Sequence, residues 1–200
     1  MNPLIGLIIV PAIMIIALVA AILLDQTIPS LNNWTPYILK KGDHYTQTNF
    51  LARLLPYTKN TLTFSVIFGR GSDYSIVGDN KFDINKLYGI GTSLKGPKHN
   101  SVRVGWRWSE FDQHIQLFLY VRDKGRIFTE YMGGVRLGEQ VTFTLSFKDR
   151  AELTWDKNNY RKASIPLSDK PLLPIYYRLF TYFGGDQKAP NDIKILIKEL

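Results

Sequence analysis

Period-two alternation of apolar and polar residues, repeated along most of the chain, is the feature that most constrains the fold. Gln140-Val141-Thr142-Phe143-Thr144-Leu145-Ser146-Phe147-Lys148 alternates without a fault. In Ser101-Val102-Arg103-Val104-Gly105-Trp106-Arg107-Trp108 the valines and tryptophans share one face and the arginines the other. His114 to Arg122 repeats the device, and Asp192 to Lys198 closes the chain with it. Shorter runs at Thr61–Phe68, Lys86–Ile90, Arg126–Tyr131, Glu152–Trp155 and Tyr176–Phe183 complete the set. Such alternation sets one face against a core and the other in water. Turn signals separate the runs: Gly69-Arg70-Gly71, Lys95-Gly96-Pro97, Asp123-Lys124-Gly125, Gly133-Gly134 and Asp156-Lys157-Asn158-Asn159. Many short strands joined by such turns predict an antiparallel sandwich or barrel. Trp106, Trp108, Phe143, Phe147 and Trp155 are its expected core.

The N-terminus breaks this pattern. Leu4 to Leu24 carries no charged residue. As a helix it would span roughly 31 Å, about the thickness of a bilayer's hydrocarbon core. Pro11 would kink its first half. No basic residue precedes it and Asp25 follows directly, which favours a retained single-pass anchor over a cleaved signal peptide. The nearest basic residues, Lys40 and Lys41, lie on its C-terminal side, so the positive-inside rule leans toward a cytoplasmic domain on an inner or virion membrane, with sidedness left open. The expected organisation is an anchor at 1–25, a stalk or irregular segment at 26–60 with a short helix around Asn49–Leu55, and a sandwich at 61–200. Trp34 and Tyr37 either sit at the headgroup level or pack on the domain.

The charge balance limits the partners. The net charge is +8, all of it outside the apolar stretch. A basic domain suits a membrane surface, an acidic glycan or an acidic protein face. Its lysines and arginines are interleaved with acids, which disfavours a nucleic-acid tail. The absence of cysteine excludes disulfides, thiolate metal sites and cysteine nucleophiles. His44, His99 and His114 lack metal-ligand spacing. Asp79, Asp83 and Asn85 are oxygen donors of the kind calcium takes, but loop acids near glycine are commoner without metal, so no metal and no cofactor is expected.

From about Asp83 onward the chain resembles the concanavalin-like jelly-roll domains of bacterial polysaccharide-active and glycan-binding proteins, particularly small domains of bacteroidete and phage type. Asn85-Lys86-Leu87-Tyr88-Gly89, His99-Asn100-Ser101-Val102-Arg103-Val104-Gly105-Trp106-Arg107 and Tyr182-Phe183-Gly184-Gly185-Asp186-Gln187-Lys188-Ala189-Pro190-Asn191-Asp192-Ile193 carry the resemblance. It implies a mostly β protein, an antiparallel jelly-roll β-sandwich, here behind one transmembrane α-helix. Lyases of this kind use a sheet face bearing Arg, Gln or Asn, His and Tyr, where Arg neutralises a carboxylate and His or Tyr moves a proton. The matching candidates are Arg103, Arg107, Gln116, Phe118, Tyr120 and Arg122, with His114 at a strand edge. Phe118, Tyr120 and Tyr131 are candidates to stack on sugar rings. Gly184-Gly185 reads as a structural corner.

Two departures weigh against catalysis. An Arg-x-Glu-Leu-Arg-like strand and a Gln-Ile/Val-His strand are missing, and Glu110-Phe111-Asp112 lies in a turn rather than on a strand as paired glycosidase carboxylates would. The expectation is therefore a membrane-anchored, non-enzymatic interaction or scaffold protein with a protein partner or homo-oligomer, for example in a lipid-containing phage. A surface-displayed glycan-binding module and a polysaccharide lyase or glycoside hydrolase are the alternatives.

Overall fold

The computed structural model describes residues 34–46, 56–57, 59–92, 96–156, 161–168 and 176–200. The anchor at 4–24 and the short helix around 49–55 lie outside these residues. Among the described residues no helix is long and apolar enough to cross a membrane.

In chain order the strands are β1 (Thr35–Leu39), β2 (Pro56–Tyr57), β3 (Thr61–Phe68), β4 (Asn85–Gly91), β5 (Ser101–Ser109), β6 (His114–Asp123), β7 (Arg126–Val135), β8 (Gln140–Phe147), β9 (Arg150–Asp156), β10 (Arg161–Pro166), β11 (Tyr176–Leu179) and β12 (Ile193–Glu199), with a 3₁₀ turn at Asp79–Phe82. They form two six-stranded sheets, ordered β1-β12-β3-β8-β9-β10 and β2-β11-β4-β5-β6-β7. Every pairing is antiparallel. The architecture is the expected jelly-roll sandwich. Thr35–Leu39, within the segment read as stalk, pairs with the last strand, and Tyr37 and Leu39 point into the core.

The core lies between the sheets and follows the alternation. Leu62, Phe64, Val66 and Phe68 of β3 and Phe143, Leu145 and Phe147 of β8 are buried from one side. Val102, Val104 and Trp106 of β5 and Ile115, Leu117, Leu119 and Val121 of β6 are buried from the other. Trp108 is only partly buried against this cluster. Tyr37 packs on Tyr88 and Phe180, ring centroids 6.2 and 6.1 Å away, rather than serving as a headgroup anchor.

Two strands break the period, each with one extra residue. Between Lys86 and Gly89 the pairing of β4 with β5 slips, and Leu87 and Tyr88 both turn into the core. Between Leu117 and Phe118 the pairing of β6 with β7 slips likewise, and Met132 is buried beside Gly133. A bulge of this kind re-aims the side chains around it. Here it keeps Lys86 and Gly89 together on the outer face of the second sheet, beside Gly105 and Arg103.

Candidate active site

The outer face of the second sheet carries an open cavity of about 470 Å³. Its floor comes from the polar halves of β4, β5 and β6, which place Lys86, Ser101, Arg103, Tyr120 and Arg122 in it. Tyr177 and Arg178 of β11 flank it, and the loop Tyr182–Asp186 forms a wall.

Glycine shapes the floor at two places. A Cβ on Gly89 would meet the Val102 carbonyl and, at 2.8 Å, Cγ of Arg103, so the bare backbone gives the arginine stem its track. A Cβ on Gly91 would meet the ring of Tyr177 in the same way. Such close approach is a use of glycine inside a strand.

Lys86 sits at the centre. Its Nζ donates to the Gly184 carbonyl at 3.0 Å and lies 5.0 Å from the ring centroid of Tyr120 and 5.5 Å from that of Tyr182. Burial, reinforced by the nearby charge of Arg103, pulls the ammonium down from 10.5 to about 8. A good part of Lys86 is therefore the neutral amine just above neutrality. Burial also pulls Arg103 down, to about 10, so it stays a cation at neutral pH. Desolvation pushes the phenols of Tyr177 and Tyr182 upward, which keeps both protonated.

The wall is fixed from outside. Lys86 and Tyr182 exchange backbone hydrogen bonds of 2.9 and 2.8 Å. The buried Asn85 side chain accepts from Gly184 N at 2.5 Å and donates to Tyr74 Oη at 2.7 Å. Asp83 accepts from Gly185 N at 3.1 Å. The ring of Tyr182 stacks on His44 at 5.3 Å, with Tyr45 edge-on at 4.9 Å. The Gly184-Gly185 corner thus lines the cavity as well as turning the chain. Asp83 and Asn85, candidates for calcium, hold this loop instead, and among the described residues no group of three His, Cys, Asp or Glu could hold a metal ion.

All six candidate residues fall on the outer face, but they divide between two places. Arg103, Tyr120 and Arg122 line the main cavity, whereas Arg107 and Gln116 line a second hollow further along β5 and β6. Phe118 lies between them. Phe118 and Tyr120 are only 7% and 5% exposed, under Arg107 and Lys86 respectively, while Tyr131 is 54% exposed and open for stacking. His114 stays outside the cavity, its Nδ1 donating to the Asp112 carbonyl at 3.1 Å. Sequence reasoning missed Lys86 and Tyr182. Their signal was the pair of glycines at alternate positions just after Lys86, which marks a trough in the sheet.

No family model matches the chain, and no curated protein does. Among solved structures it is similar to the alginate lyase AlyC3, with a TM-score of 0.57, 12% identity, and coverage of 84% of this chain and 74% of that one. It is also similar to the alginate lyase vAL-1 from Chlorella virus, with a TM-score of 0.47, 12% identity, and coverage of 83% and 82%. The first match is a scytalido-glutamic peptidase, at a TM-score of 0.38 and 9% identity, covering 84% of this chain. The chain spans 64% of that peptidase's length. The likeness to AlyC3 establishes the concanavalin-like jelly-roll fold. The expectation of a non-enzymatic scaffold is corrected here: the fold is shared with an enzyme, the alginate lyase AlyC3, and the enzymatic alternative is taken up below as a proposal. The sequence reading weighed the missing histidine motifs, and it did not see that the cavity gathers Lys86 and several tyrosines. Neither the membrane anchor nor a phage origin gains support from these likenesses.

Proposed function

We propose that the chain is a polysaccharide lyase acting on a uronate-containing glycan by β-elimination. One observation carries the reading: Arg103, Lys86, Tyr120 and Tyr182 converge in one cavity, with Asp186 the sole acid among its described lining residues. Arg103 pairs with the substrate carboxylate, which makes the adjacent C5–H acidic and stabilises the charge that develops when it leaves. The neutral amine of Lys86 takes that proton. The C4–O4 bond breaks as the C4–C5 double bond forms. A tyrosine hydroxyl, that of Tyr120 or Tyr182, gives its proton to the leaving oxygen. Arg122 supplies further positive charge for an anionic chain.

The test is absorbance of unsaturated uronate released from a panel of 1,4-linked polyuronates, alginate first because AlyC3 is an alginate lyase. Cleavage is expected to rise through a pH near 8 as Lys86 loses its proton, and to fall by at least a hundredfold in Lys86→Ala and Arg103→Ala. A folded protein that releases no unsaturated product from any polyuronate refutes the assignment. The uncharged stretch from Leu4 to Leu24 supports a further reading in which the enzyme is tethered to a membrane.

A further inference from the structure

The second hollow, about 250 Å³, lies where the 3₁₀ turn meets the ends of β5 and β6, and it shares no lining residue with the main cavity. Arg107 is its centre. The guanidinium lies 5.1 Å from the ring centroid of Phe118 and 5.7 Å from that of Phe82. Its Nε donates to Gln116 Oε1 at 2.8 Å and its Nη1 to the Phe82 carbonyl at 2.9 Å. Gln116 is held in turn, its Nε2 donating to Asp112 Oδ2 at 3.0 Å. An arginine carries five N–H donors, and these two bonds, from Nε and Nη1, leave the Nη2 donors unused among the described residues while Arg107 lines the hollow. Among the described residues no carboxylate pairs with it. A planar cation fixed by two rings and two acceptors, with a free edge, is preorganised for a carboxylate.

The hollow also has apolar surfaces for a ring to rest on: Phe82 is 59% exposed and Phe111 97%. Between the two arginines, beside Lys86, the sheet face carries apolar surface. Gly105 has no side chain there, Ile84 fills its place, and Phe118 lies alongside. Arg103 and Arg107 are four residues apart on one strand, a span of about 13 Å that corresponds to about three sugar rings.

Building on the lyase reading, we infer that Arg107 is a second carboxylate anchor, which selects for polyuronate chains long enough to engage Arg103 and Arg107 together. Arg107 is a specificity residue, remote from the bond that breaks. Chains shorter than the gap gain nothing from it.

The experiment compares wild type, Arg107→Ala and Arg107→Lys on oligouronates of two to six residues, by steady-state kinetics and by titration calorimetry. In wild type, affinity is expected to step upward at the length that bridges the gap. In Arg107→Ala, KM for the longest oligomers rises roughly tenfold, as expected for one lost charge-assisted bond, while kcat and the KM of the shortest are unchanged. Arg107→Lys, which keeps the charge without the fork, falls between. A KM rise equal at all lengths, or no rise at any, overturns the inference. If wild type cleaves no oligomer, the lyase reading falls by itself. Calorimetry still decides the anchor, because the length step in binding must be present in wild type and absent from Arg107→Ala.

Discussion

Replacing Lys86 with methionine tests the electrostatics of the site through stability alone, without any substrate. The Lys86 ammonium is half-buried, and burial lowers its pKa from 10.5 to about 8. In the folded protein the charged form is therefore the disfavoured one. Between pH 8 and 10.5 the unfolded chain holds a proton on this lysine that the folded chain has released, so stability rises with pH through that window. At 1.36 kcal/mol for each unit of pKa, the full difference is about 3 kcal/mol. Solvent reaching a half-buried amine screens part of this, leaving about 1 to 2 kcal/mol. Methionine keeps the length of the stem and removes the titration. Urea unfolding of both proteins at pH 7, 8.5 and 10 gives the difference in stability, and other alkaline titrations cancel in that difference. Wild type should gain about 1 to 2 kcal/mol on the variant between pH 7 and 10. A difference that stays flat with pH would mean that Lys86 is solvated as an ordinary surface amine. A difference that moves the other way would mean that Lys86 is held as a cation, and the proton-abstraction role would go with it.

Two further substitutions probe what holds the site in place. Glu199 receives a forked pair from Arg178 at 2.8 to 3.2 Å and a hydrogen bond from Tyr88 Oη at 2.9 Å, with both ionic side chains about 15% exposed. Glu199→Ala removes the carboxylate that neutralises Arg178 and should cost about 3 kcal/mol in chemical denaturation; a loss below about 1 kcal/mol would show the pair to be solvent-screened. Gly89→Ala sets a methyl against the Val102 carbonyl and the stem of Arg103, and should cost about 1 to 3 kcal/mol. At Gly134 the three atoms nearest an added methyl all belong to the His114 ring, a side chain rather than backbone, so the melting temperature of Gly134→Ala should fall less; equal losses would refute the distinction between backbone and side-chain crowding.

The alternation in β3, β5, β6 and β8 was legible because each of these strands has a dry face and a wet face along its length. Parity alone put Arg103, Arg107, Gln116, Tyr120 and Arg122 on the outer face, where they are found. Parity fails at a bulge. Leu87 and Tyr88 both enter the core, and no alternation rule applied to Lys86-Leu87-Tyr88-Gly89 shows which of its ends faces Arg103. The edge strand β1 was hidden differently: Pro36, tolerated at an edge, reads in sequence as a stalk residue. Tyr182 reaches the cavity through its pairing with Lys86, which is 96 positions earlier, and that neighbour exists only in the sheet topology. The groups on which the proposed catalysis rests were hidden most deeply. Histidine's unperturbed pKa lies near neutrality, so a search for proton movers finds it by letter. A lysine becomes a base near neutrality only through burial beside other cations. That property belongs to the cavity formed by Arg103, Tyr120, Tyr182 and the Gly184 carbonyl, and it arises only when strands distant in sequence are brought side by side.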